Sequence, residues 1–261
     1  MKTTEEPILI YDTENDQTWT IPRRRTNTIT AQVSERWVAN VIVSETFCHK
    51  LIHLPFLKPV RTEAGYVLSL CAIFMQHAAP SWAPLKIGPP SQNCALRIAC
   101  VDVRDGTPAV WVDHRYSDSA LVKALGKLGF PEVHAQLQVE RGRDAYMHRQ
   151  LNMYTRDNMI DLRLIEYPEA PLAEPKAFAN VETFEKYFTA GVRSYGPGNK
   201  PDHCTMVDLH KRSDNHFEWM NQYHGYLRTA WGNWRVDGVY RTQNELYEWQ
   251  YKGDVRATET K

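Results

Sequence analysis

WVDHRYSDSALVKALGKLGFPEVHAQLQ, residues 111–138 of a 261-residue chain, reads as a strand, a short helix, a tight turn and a second strand. Helical spacing over 119–126 stops at Leu128-Gly129-Phe130-Pro131. The stretch sets Lys123 and Lys127 one helical turn apart, on one face and beside that turn. A lysine at the end of a short helix that runs into a buried strand can be pushed into apolar surroundings. There it becomes a neutral amine able to attack a carbonyl. The competing reading is a solvent-facing lysine that complements the helix dipole.

The pattern continues in both directions. Residues 1–30 are polar and read as an extended arm with a short strand near 8–11. Residues 31–255 read as a single domain. Alternation over 36–44 predicts a strand, and Ser44 is placed to cap a short helix over 45–53 that Pro55 stops. Residues 66–76 form an apolar run of the kind buried on both faces. The segment 78–93 carries Pro80, Pro84, Pro89 and Pro90 and reads as a loop of lid length. Strands over 94–103 and 107–114 join through Asp105-Gly106, a hairpin signal. A second hairpin is expected from 146–154 and 159–167, after a strand over 133–140.

Residues 168–175 are linker-like but too short to divide the chain. Helical spacing returns over 181–192, with Val181, Phe184, Tyr187, Phe188 and Val192 on one side, and ends at Gly196-Pro197-Gly198. Strands over 204–210, 219–226 and 238–251 complete the reading. The fold class that follows is β-rich α+β: an antiparallel, closed or partly closed β-barrel with a few short helices.

Composition narrows the partners. Lysine plus arginine equals aspartate plus glutamate at 31 each, so nothing marks a nucleic-acid partner. Arg23-Arg24-Arg25 reads as a solvated turn. Five cysteines without CxxC spacing, and no secretory apolar segment at the start of the chain, read as reduced thiols in a cytoplasmic protein. No apolar run approaches the ~20 residues of a membrane-spanning helix. Aromatic residues crowd the last third (Trp219, Tyr223, Tyr226, Trp231, Trp234, Tyr240, Tyr247, Trp249, Tyr251) and suit both a core and an aromatic-lined cavity. They are also the sequence's one argument for assembly into a homo-oligomer.

The run Gly126-Lys127-Leu128-Gly129-Phe130-Pro131 resembles the acetoacetate decarboxylase-like superfamily, where a short helix carries a lysine pair before Leu-Gly-Tyr-Pro. Asn244-Glu245-Leu246-Tyr247-Glu248-Trp249 is similar to its closing strand. A second, uncharacterised branch of the superfamily is matched by Gly106-Thr107-Pro108-Ala109-Val110-Trp111 and by the aromatic helix from Phe184 to Tyr195. Together the matches order the elements from about 34 to 252. The resemblance implies a barrel with an interior active site. It also implies an imine-forming lysine, but that position falls on Gly126, and only the second lysine has a counterpart, Lys127. The strand carboxylates of the family are missing from 67–76, and the strand arginine of the second branch would fall near Cys100. Arg36 is a loose match for the family's arginine near the first strand.

The candidate catalytic residues are Lys127, His77 and Arg115, as amine or cation, general acid or base, and carboxylate clamp. Candidate substrate-binding residues are Arg36, Tyr116, Lys123, Glu132 and His134; the last two alternate on one face of a strand. His49 and His53 have i, i+4 spacing but lack a third ligand, so no metal is expected. No GxGxxG, GxxxxGK[ST] or GxSxG occurs, and no cofactor is expected. The functional expectation is a cofactor-independent enzyme of lyase, dehydratase, isomerase or cyclase type. It would act on a carbonyl- or carboxylate-containing small molecule in an aromatic-lined cavity. The alternative is a non-catalytic small-molecule-binding protein on the same barrel.

Overall fold

A computed structural model describes residues 8–12, 17–21, 28–81, 83–84, 88–127, 136–169, 174–190, 193–198, 203–214 and 216–256; for 8–12, 17–21 and 124–127 it describes the backbone alone. β1 (Ile8–Asp12) and β2 (Gln17–Ile21) pair with each other. β3 (Thr28–Val43) leads into α1 (Glu45–Leu51), followed by β4 (Leu57–Pro59), β5 (Arg61–Thr62), β6 (Gly65–Pro80), β7 (Ser91–Asp102) and β8 (Thr107–Ser117). Then come α2 (Ala120–Lys127), β9 (Leu137–Arg143), β10 (Arg149–Thr155), β11 (Ile160–Glu166) and α3 (Val181–Ala190). β12 (Arg193–Pro197), β13 (His203–Lys211), β14 (Glu218–Trp219), β15 (Tyr223–Thr229), β16 (Gly232–Arg235) and β17 (Gly238–Arg256) complete the chain.

Seven strands close a ring in the order β7, β8, β12, β13, β17, β3, β6 and back to β7. Every pairing in the ring is antiparallel except β12 with β8, which is parallel. A second, five-stranded sheet has the order β16, β15, β11, β10, β9. The expected barrel is therefore present, with a further sheet that the sequence reading did not separate from it.

Strand alternation sends side chains to two different cores. Outward-facing Trp37, Ala39, Val41, Leu68, Leu70, Leu96 and Trp111 pack with Leu151, Met153, Leu162 and Leu227 of the second sheet and with Leu51 of α1. Inward-facing Val33, Val38, Val67, Cys71, Tyr240 and Tyr247 pack with Phe184 of α3. Phe184 is fully buried and stacks on Tyr240 with ring centroids 3.7 Å apart. This explains the apolar run in β6: both of its faces are covered.

Several boundaries differ from the sequence reading. β3 begins at Thr28, inside the segment read as an arm. The loop expected over 78–93 is shorter, because β6 continues beside β3 as far as Pro80 opposite Ile29, and β7 already begins at Ser91. β12 occupies the Gly196-Pro197 punctuation, and residues 219–226 divide between β14 and β15. Ser44 caps α1 as expected, its side chain accepting from the Phe47 N–H at 3.2 Å. Among the described residues no helix is long and apolar enough to cross a membrane.

One polar cluster ties β7 to β12. Asp102, fully buried at the end of β7, accepts from Arg104 Nη2 at 2.7 Å and from the Tyr195 hydroxyl of β12 at 2.8 Å. Burial alone would raise the Asp102 pKa, but the hydrogen bonds from Arg104 and Tyr195 outweigh it and hold the carboxyl below its ordinary value. A depressed carboxyl contributes stability that is full above the unfolded pKa of about 4 and fades as pH falls below it. Asp102→Asn is expected to cost about 1–3 kcal/mol at neutral pH. It should also flatten the acid-side loss of stability; thermal unfolding midpoints measured from neutral pH to pH ~3 read both effects.

Candidate active site

The barrel interior gathers charge that an apolar core would exclude. Arg36 projects inward from β3 and is 2 % exposed. Its Nε donates to Cys71 Sγ of β6 at 3.1 Å and its Nη1 to the Tyr247 hydroxyl of β17 at 2.5 Å. The guanidinium lies 4.5 Å from the Phe188 ring centroid of α3 and 5.6 Å from that of Phe217, within cation–π range. Burial opposes the Arg36 charge. Cys71, Tyr247 and Glu245 together outweigh it and hold the pKa above the ordinary arginine value. Glu245, two residues before Tyr247 on β17, is 0 % exposed and lies beside the Tyr247 hydroxyl.

A cavity of about 140 Å³ adjoins this cluster. Its walls include Arg36 of β3, Ser69 of β6, Arg97 of β7, Lys211 of β13, and Tyr187 and Phe188 of α3. Strands from around the ring and the helix in its mouth thus converge on one space. The volume is close to the roughly 150 Å³ of an engineered cavity that accepts benzene, so a small organic acid fits. Arg97 Nε is buried without a partner. Burial, and to a smaller degree Arg36, lower the Arg97 pKa against the opposing pull of Cys71. Burial and then Arg36 likewise lower that of the Lys211 amine, against weaker pulls from Glu245 and Glu185. Three cationic side chains therefore face one cavity, with Glu245 the buried carboxylate beside them. The arrangement suits an anion, and a carboxylate matches the planar guanidinium fork.

The sequence candidates fall in different places. Arg36 lines the cavity. Arg115 shares the inward face with Arg97, lies against Gly196 of β12, and has its pKa pushed down to about 9 by burial and by Arg97. It is not among the cavity's lining residues. Tyr116, expected at the substrate, is 1 % exposed on the outer face of the same strand, where it stacks on His114 in the core beneath the second sheet. The one-residue step from Arg115 turns it away from the interior. His77 lies near the far end of β6, its Nδ1 paired with the Gly88 carbonyl at 3.0 Å, away from the cavity lining. Lys123 of α2 is half-buried and sits near Asp118, also away from the lining. The backbone of Lys127 ends α2, while its side chain and all of Glu132 and His134 lie outside the described residues.

Three residues of the cluster escaped the sequence reading, and each left a signal. Arg97 is the one charge within the apolar run 94–101, and it alternates with Ala95 and Ala99. Lys211 continues the inward alternation of Val207 and Leu209, one residue past the expected strand end. Glu245 lies in a strand whose inward neighbours, Thr242 and Tyr247, are buried.

No family model and no curated protein matches this chain. Solved structures do. Acetoacetate decarboxylase from Legionella pneumophila is 9 % identical with a TM-score of 0.54, covering 87 % of each chain. An acetoacetate decarboxylase-like enzyme from Sphingomonas wittichii is 12 % identical with a TM-score of 0.53, covering 90 % of this chain and 95 % of that one. The enduracididine biosynthesis enzyme MppR, complexed with pyruvate, is 11 % identical with a TM-score of 0.52, covering 98 % and 99 %. The chain has the acetoacetate decarboxylase-like fold.

Removing the Arg36 charge leaves Glu245 buried beside fewer cations. Arg36→Met is expected to destabilise the protein by about 3–5 kcal/mol in urea unfolding. Adding Glu245→Gln should recover a substantial part of that loss, because the uncompensated charge is gone.

Proposed function

We propose that the protein is a small-molecule enzyme acting on a carboxylate that also carries a reactive carbonyl, held inside the barrel. The observation that carries this reading is the cavity itself. Two inward guanidinium groups, Arg36 and Arg97, and the Lys211 amine border about 140 Å³ of space, with an unpaired Arg97 Nε. Unpaired buried donors are costly unless something accepts from them, and a ligand carboxylate does so directly.

The two arginines differ in availability. Arg36 is committed to Cys71 and Tyr247, and its role is to set the field of the cavity. Arg97 is the clamp, because its Nε is free to pair with an incoming oxygen. Phe188 and Tyr187 supply an aromatic wall that excludes water and strengthens each of these electrostatic contacts. One neighbour in fold, MppR, is described in one structure as complexed with pyruvate and in another with a pyruvate condensation product, and a substrate of the size of pyruvate matches this space. The reaction class is lyase, dehydratase, isomerase or cyclase chemistry next to a carbonyl, using groups of the chain itself.

Calorimetric titration with pyruvate and acetoacetate, alongside a turnover assay on the same compounds, tests the reading. Binding with turnover supports it, and binding without turnover replaces the enzyme with a ligand-binding protein. Arg97→Met is expected to weaken binding about tenfold to a hundredfold while leaving the thermal midpoint within a few degrees, the loss typical of a hydrogen bond to a charged group. Unchanged affinity in that variant removes Arg97 from the clamp.

A further inference from the structure

We propose that the barrel takes a dicarboxylate: an oxo acid with a second carboxylate at its far end, one end held by Arg97 and the other by Lys211. The proposal rests on the oxo-acid reading above and names the substrate class within it. Arg97 on β7 and Lys211 on β13 line the same cavity. Following the ring from β7 through β8 and β12 to β13 puts the two on opposite walls. Both project inward: Arg97 alternates with Ala95 and Ala99, and Lys211 stands opposite Tyr247 of β17. On that side of the ring the lining between them is apolar. Ala99 lies two residues along β7 from Arg97, Val110 faces Ala99 across the strand pair, and Leu209 lies two residues before Lys211. A ligand charged at both ends and uncharged in the middle matches that order.

The charge balance of the interior points the same way. Arg115 of β8 stands opposite Ala95, and its Nη1 lies over Gly196 of β12, where a Cβ would come within 2.7 Å of it. The small residues at 95 and 196 thus make room for a further inward guanidinium on the Arg97 side. Four cations then face the interior: Arg36, Arg97, Arg115 and Lys211. Among the described residues two carboxylates act on them, Glu245 and Glu185, which leaves an excess of two positive charges. Of the effects that lower the pKa values of Arg97, Lys211 and Arg115, burial is the largest and a neighbouring guanidinium the next. A monocarboxylate meets one wall and leaves the cation on the other buried without an acceptor, which is costly. A dicarboxylate supplies an acceptor to each wall and balances the charge. A phosphate group concentrates its charge at a single point, which one wall alone would meet.

Two pairs of ligands that differ only at the far end test this: 2-oxoglutarate against 2-oxopentanoate, and the smaller succinate against butyrate. Dissociation constants are measured by calorimetry on the full chain, beside those of pyruvate and acetoacetate. In at least one pair the dicarboxylate is expected to bind about tenfold to a hundredfold tighter than its monocarboxylate twin, the gain typical of a hydrogen bond between charged groups. In Lys211→Met and Lys211→Gln that ratio should fall toward one. A ratio near or below one in both pairs overturns the proposal, and so does binding of pyruvate with exclusion of both dicarboxylates. In either case the oxo-acid reading survives as long as one of the oxo monocarboxylates binds. A ratio that persists unchanged in both Lys211 variants overturns the placing of the second carboxylate at Lys211. Binding by none of the compounds overturns the proposal and the oxo-acid reading together. The comparison of twins on the native chain keeps the outcome independent of whether the Lys211 variants fold.

Discussion

A guanidinium buried inside a β-barrel has to be surrounded by groups that stabilise its charge, and the interior of this protein is arranged around that requirement for Arg36. Cys71 and Tyr247 accept from it, Phe188 covers it, and Glu245 contributes negative charge nearby. These partners come from three other elements: β6, β17 and α3. The charge therefore fixes how these elements approach one another, as well as what they enclose. Arg97 and Lys211 enter a space where one cation is already secured, which is why each feels a neighbour of its own sign.

Closure of the ring makes such an interior possible. An open sheet exposes one face and has two edges, whereas seven strands joined back to the first have a true inside. The outer wall is apolar because the second sheet and α1 cover it. The inner wall is apolar where α3 fills it and polar where α3 leaves space. The cavity lies between that inner wall and the Tyr187–Phe188 face of α3.

The sequence disclosed features that depend on neighbours along the chain and concealed those that depend on distant pairing. The Asp105-Gly106 turn, the Ser44 cap and the aromatic face of α3 all act within a few residues and are legible. The inward position of Arg36 follows from alternation in β3 once the barrel is supposed. β12 was hidden because Gly196-Pro197-Gly198 has the composition of a loop, and its strand geometry comes from β8 and β13 on either side. β15 read as one more barrel strand because its own sequence does not say that it pairs with β11. The candidate site scattered for a related reason. Tyr116 and Arg115 are adjacent in sequence but occupy opposite sides of one wall, and only the register identifies which is inside. Lys211 and Arg97 needed the reverse inference: a charge that interrupts an apolar alternation marks a polar space, not a surface.

The parallel contact between β8 and β12 has a kinetic consequence. Residues 118–192, including α2, three strands of the second sheet and α3, lie between the two strands that meet there. Local hairpins form without that contact, but the ring cannot close until this long excursion has returned to the barrel. The entropy of closing so large a loop places the event late in folding and makes it slow. The pocket does not exist before it. A substitution in the excursion can thus lower the yield of competent protein while leaving every side chain around Arg36 unchanged.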